Sequence, residues 1–351
     1  MIDRELLLKV ARGFAEERGR ERATIVAGFL IGSVARSEPP LGDSTDLDIC
    51  LIDNDPPLNY ERFQRVSDTI LIDCWYNHPN VYQDKPYLRG HALLGPSLYD
   101  AVPLYDPRHM FDLIQASVRG QFDVPENVYA RARQAYRQAR EHFDAIERYR
   151  AVPVPVPLDR DELHHLHAIF EWASTAILMI TFRSHTNRRQ MMQFEAAASE
   201  LERSDLYARA MEGLGFTEIV DDEIATMREQ WHDIYNASNR FHSGLWDEGA
   251  DLHPTREYYY LRGFEALAEA GHAQNSLLLL ENILGACANH ILNYAPPEDA
   301  VTYLEMYTSW LAQTRKGSTE DFAERVSIAG ELLEQIDDVL IAWARTEGVA
   351  I

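Results

Sequence analysis

The stretch Ala27-Gly28-Phe29-Leu30-Ile31-Gly32-Ser33, followed twelve residues on by Asp46-Leu47-Asp48-Ile49-Cys50-Leu51-Ile52, decides the reading of this chain. An apolar run ends in a small-residue turn, a polar loop follows, and a second apolar run opens on two carboxylates. Side chains alternate across a strand, so Asp46 and Asp48 share one face, roughly 7 Å apart at their Cα atoms. Leu47 and Ile49 take the other face. Two ionised carboxylates side by side repel each other unless a cation lies between them. A hard divalent metal with oxygen ligands meets that need.

The Gly-Ser turn, the spacer and Asp-x-Asp between apolar residues resemble the nucleotidyltransferase superfamily related to DNA polymerase beta. Within it, the nearest pattern is the small-molecule, aminoglycoside-type branch with a C-terminal helical domain. The resemblance covers about the first 110 to 125 residues. It implies a third carboxylate on a neighbouring strand, which here is Asp73 within Thr69-Ile70-Leu71-Ile72-Asp73-Cys74-Trp75. Asp68 is a rival, but it precedes the apolar run and reads as a loop residue.

The same resemblance implies an activity. Nucleotidyl transfer attacks the α-phosphate of a nucleoside triphosphate, ATP being the expected donor, and expels pyrophosphate. Two magnesium ions about 4 Å apart clamp the attacking and leaving oxygens in such sites. Asp46, Asp48 and Asp73 are the expected metal ligands and catalytic residues, with Asp73 also a candidate general base. Gly32 and Ser33 are expected to meet the triphosphate, through close backbone approach at the glycine and a hydroxyl and amide at the serine. Arg36 matches a basic residue often found after the turn and is expected on the β- or γ-phosphate. A structural account also exists for each part: an ordinary turn, a capping aspartate, a surface arginine.

Composition narrows the partners. The chain has 351 residues, 46% of them hydrophobic, which suits two domains with a sizeable core. Its net charge is -23. Long nucleic acid needs a basic footprint, so none is expected as a partner, and a small or protein acceptor is favoured. The branch resemblance points to a hydroxyl on a small molecule, an antibiotic among the candidates. Protein adenylylation, an antitoxin-type role, and nucleotide binding without turnover are the alternatives. No apolar run is long enough to span a membrane. The charged start lacks the layout of a signal peptide. The three cysteines, Cys50, Cys74 and Cys287, are widely spaced and read as reduced thiols of a cytoplasmic protein.

Periodicity places an amphipathic helix over 2–18 and strands over 24–31, 45–53 and 68–76. A short helix is expected over 61–66, another over 86–94, and an edge strand over 101–105. Helical spacing returns at 109–118 and 126–150. Val152-Pro153-Val154-Pro155-Val156-Pro157 reads as a stiff connector. Further helices are expected over 160–182, 190–213, 221–243, 254–271, 273–293, 298–315 and 319–346. The expected class is therefore α+β, with a small mixed-sheet catalytic domain over 1–125 and a larger all-helical domain over 126–351. In the helical part, Glu162, His164, His165 and His167 read as a solvated or hydrogen-bonded cluster rather than a metal site. Arg183, Arg188 and Arg189 read as an exposed interhelix loop, and Trp231, Tyr235, Trp246 and Tyr258-Tyr259-Tyr260 as core aromatics.

Overall fold

The computed structural model describes residues 3–150, 160–241 and 252–350. The proline connector 152–157 and Trp246 lie outside the described residues. The chain divides into two compact units, Met1–Arg131 with Tyr258–Ala266, and Ala132–Glu257 with Leu267–Ile351.

The first unit opens with helix α1 (Arg4–Glu21), capped by the Asp3 carboxylate accepting from Glu5 N at 3.1 Å. Strand β1 (Ile25–Ile31) runs directly into the four-residue helix α2 (Gly32–Ala35). Strands β2 (Thr45–Asp53), β3 (Phe63–Arg65) and β4 (Ile70–Asn77) follow. Helices α3 (Lys85–Gly90) and α4 (Leu94–Asp100), strand β5 (Val102–Tyr105) and helix α5 (Met110–Arg119) come next. The sheet order is β3-β4-β2-β1-β5, with β2 and β4 parallel and the other pairs antiparallel. This is the expected small mixed sheet.

Alternation along β2 explains how the sheet is covered on both sides. Leu47, Ile49 and Leu51 pack with Leu7, Ala11 and Ala15 of α1. Cys50 and Ile52 turn to the opposite face, against Phe29, Leu98, Phe111 and Ile114 from β1, α4 and α5. Phe29 stacks on Phe111 with ring centroids 4.2 Å apart. The sheet is therefore a middle layer, and Asp46, Asp48 and Asp73 interrupt the largely apolar run of β2 and β4.

The expected helix over 61–66 is instead β3. Phe63, Gln64 and Arg65 pair with Asp73, Ile72 and Leu71 of β4 in a tight hairpin. The polar turn Ser67-Asp68-Thr69 closes it, with Ser67 Oγ accepting from Thr69 N and Ile70 N. Asp68 stands in that turn, paired with Arg65 at 2.7 Å, as its position before the apolar run indicated.

Helix α6 (Pro125–Arg150) follows, and Arg131 in its second turn donates to Arg89 O at 2.8 Å and Phe122 O at 2.7 Å within the first unit. The second unit is helical: α7 (Arg160–Ile180), α8 (Gln190–Glu200), α9 (Ser204–Gly213), α10 (Asp221–Arg240), α11 (Glu257–Glu269), α12 (Leu277–Tyr294), α13 (Pro297–Gln313) and α14 (Thr319–Thr346). Within α11, residues 258–266 group with the first unit. The single helix expected over 190–213 is two, because Glu202 adopts φ 58 and Arg203 N turns back to Ala198 O at 2.8 Å. That left-handed residue closes α8 as a C-terminal cap does. No helix among the described residues is long and apolar enough to cross a membrane.

Trp231, Tyr235 and Tyr260 are fully buried, in keeping with a core role. The arginine loop departs from expectation. Arg188 is buried, and Arg183 is paired with Glu200 at 2.7 Å. The histidines also split. His165 meets His142 of α6, Nδ1 to Nδ1, at 2.8 Å, while His167 lies 3.0 Å from the buried Glu281 carboxylate.

Candidate active site

Three aspartates break the apolar face of the sheet near the start of α2. Ile31, the last residue of β1, is the register partner of Asp48. Asp48 is in turn the register partner of Asp73 across the parallel β2–β4 pair. Neighbouring strands lie about 4.8 Å apart, so the two carboxylates leave the backbone side by side. Asp46 is two residues earlier on β2 and shares their face. Asp46 and Asp73 are buried, and Asp48 is half-buried.

The turn is fitted to this arrangement. Gly32 has φ +78, a region that L side chains rarely adopt, and a Cβ there would lie 2.0 Å from Asp48 Oδ2. Glycine is thus required twice, by backbone conformation and by the approach of the carboxylate. Ser33 O accepts from Glu38 N at 2.9 Å, which folds the chain back after the turn. Arg4 of α1 braces the same turn from beneath, donating to Val34 O at 3.0 Å and Ala35 O at 3.2 Å.

Arg36 and Asp73 each form an ion pair within the protein. Arg36 forms an ion pair with Glu38, Nε to Oε1 at 2.7 Å. Asp73 is bonded by both ends of a guanidinium: Arg62 donates from Nε to Oδ1 at 2.7 Å and from Nη2 to Oδ2 at 3.1 Å. This is the two-point fork that arginine makes with a carboxylate. Asp46 and Asp48 supply acceptor-only oxygens suited to a hard cation. Asp73, as placed, gives its oxygens to Arg62. Among the described residues no group of three or more His, Cys, Asp and Glu is arranged to hold a metal ion.

Arg62 was not legible as a site residue because its segment read as a helix. The cue was the polar Ser67-Asp68-Thr69 turn before a β-branched run, which is a hairpin signal. A second feature lay over 200 residues away in sequence. In the Tyr258–Ala266 segment, Arg262 Nε donates to Asp43 Oδ1 at 2.8 Å and Tyr258 Oη to Asp43 Oδ2 at 3.1 Å. Gly42, at φ +71, allows this approach, since a Cβ there would lie 2.8 Å from Arg262 O. The Arg262 hydrogen bond holds the Asp43 carboxyl below the usual carboxylate range, against the opposing effect of burial. The loop between the Gly-Ser turn and Asp46 is therefore pinned three residues before the first carboxylate.

No protein-family model matches the chain, and the search of curated proteins found no match. Among solved structures, a nucleotidyltransferase-like protein from Exiguobacterium sibiricum 255-15 aligns with 88% of this chain and 91% of its own length. The two are 11% identical, with a TM-score of 0.32.

Proposed function

We propose that this chain is a magnesium-dependent nucleotidyltransferase that moves a nucleoside monophosphate, AMP from ATP, onto a hydroxyl of a small-molecule acceptor. The observation that carries the reading is the convergence of Asp46, Asp48 and Asp73 on one sheet face where the Gly32-Ser33 turn begins.

In this reading Asp46 and Asp48 hold the cation through their oxygens. A magnesium ion held there would supply charge that neutralises the triphosphate. Gly32 leaves room for phosphate oxygens against the backbone, and Ser33 adds a hydroxyl and an amide. Arg36 reaches a β- or γ-phosphate by exchanging its Glu38 partner for the ligand. The acceptor hydroxyl oxygen bonds to the α-phosphorus and its proton passes to water, while the bond from the α-phosphorus to the bridging oxygen breaks and pyrophosphate leaves. The net charge of -23 supports an acceptor other than long nucleic acid.

A second reading is nucleotide binding without turnover. The Arg62–Asp73 pairing favours it, because it engages the third carboxylate. ATP labelled at the α-phosphate separates the two. Label transferred to a hydroxyl-bearing small molecule with release of pyrophosphate, and lost in Asp46→Asn and Asp48→Asn, supports the transferase. Label on protein from a lysate would move the acceptor to a protein. Bound nucleotide with no pyrophosphate released supports the second reading.

A further inference from the structure

Arg62 is built into the carboxylate face. Its carbonyl accepts from Cys74 N at 2.9 Å, next to Asp73 in β4, so its backbone is fixed beside the group it serves. Its guanidinium lies 5.0 Å over the Phe63 ring. The Asp73 side chain is 5% exposed, whereas that of Arg62 is 44% exposed. The carboxylate is thus enclosed and its counter-charge sits at the mouth. Asp48 leaves the adjacent strand at the same level. Three carboxylates on one face require compensating charge, and arginine supplies one unit that no accessible pH removes.

We propose that Arg62 stands in for one of two cations: it neutralises Asp73, so that this site takes a single divalent ion, through Asp46 and Asp48. Arg62 is then a positioning residue, setting how many ions the site accepts. The inference rests on the nucleotide-transfer reading above, and goes beyond it by fixing the number of ions and excluding Asp73 from the ligand set. That role accounts for the hairpin register, which pairs Phe63 with Asp73 and thereby brings the adjoining Arg62 to that carboxylate.

The test counts Mn2+ ions bound by the full chain, from the spin resonance of the unbound ion, with far-ultraviolet dichroism as a check on folding. The wild type is expected to bind one ion. Asp73→Asn is expected to keep that ion, because Asp73 is not a ligand. Arg62→Gln, which releases Asp73, is expected to bind two, and Arg62→Lys to return to one. Two ions on the wild type, or loss of the ion in Asp73→Asn, overturns the proposal while leaving the transferase reading intact. One ion on both the wild type and a folded Arg62→Gln overturns it as well. If Arg62→Gln does not fold, the wild type and Asp73→Asn still decide. No ion bound by the wild type overturns the site assignment itself, and this inference with it.

Discussion

Asp48 and Asp73 are register partners across the parallel pair of β2 and β4, on the face of the sheet where β1 gives way to the Gly-Ser turn. Parallel pairing is what aligns them. An antiparallel hairpin would join consecutive strands, but β3 intervenes at the edge and returns β4 to β2 in the same direction as β2. The topology thus brings together two carboxylates that are 25 positions apart, and the turn is shaped around one of them.

Gly32→Ala tests that fit. The new methyl group would meet Asp48 Oδ2 at 2.0 Å in a backbone region unfavourable for alanine. Strain of this kind costs about 1–3 kcal/mol before the carboxylate is displaced. The expected result is a clear fall in melting temperature together with weaker nucleotide binding. A variant that melts and binds as the wild type does would contradict the close approach.

The buried pair Glu281–Lys316 predicts a pattern of stabilities. Lys316 Nζ lies 2.7 Å from Glu281 Oε2, and Thr314 Oγ1 donates to Glu281 Oε1 at 3.0 Å. Burial opposes the Glu281 charge, but Lys316 and His167 outweigh it and bring its carboxyl down to about 2. Glu281→Gln leaves a buried ammonium without its counter-charge, which is expected to cost about 3–5 kcal/mol in chemical denaturation. Glu281→Leu combined with Lys316→Met is expected to cost less than either single change. A double variant as unstable as the sum of the two singles would refute this.

His142 predicts an acid-sensitive second unit. Burial lowers its pKa, and the neighbouring His165 and His164 lower it further, while Glu141 opposes them. Above the unfolded value of 6.5 both states are neutral and the group contributes nothing. As pH falls below 6.5 the unfolded chain takes up the proton first, so folding loses stability until the folded pKa is passed. The urea midpoint is therefore expected to drop between pH 7 and pH 5, with a smaller drop in His142→Gln. Equal drops in the two proteins would remove His142 from the account.

The arrangement of the candidate site is legible in the sequence only in part, for definite physical reasons. Alternation along β2 puts Asp46 and Asp48 on one face, because strand period is a local property, whereas Asp73 beside them is implied only by the family resemblance, since the pairing of β4 with β2 is not local. Arg62 was hidden because three residues of edge strand give no period to read. Asp43 gave no sign of Arg262, since a contact between residues 219 positions apart has no local signature. Charge alone makes Arg188 an expected surface residue, whereas the structure buries it. The break at Glu202 follows from a single left-handed residue, which helical periodicity does not register.

The most direct test of the central claim is a calorimetric titration of the protein with a non-hydrolysable ATP analogue, with and without magnesium, beside Asp46→Asn and Asp48→Asn. Binding that requires magnesium and is lost in both folded variants is the predicted result. Binding that is indifferent to magnesium and to both substitutions would contradict the assignment of the aspartate face as the nucleotide site.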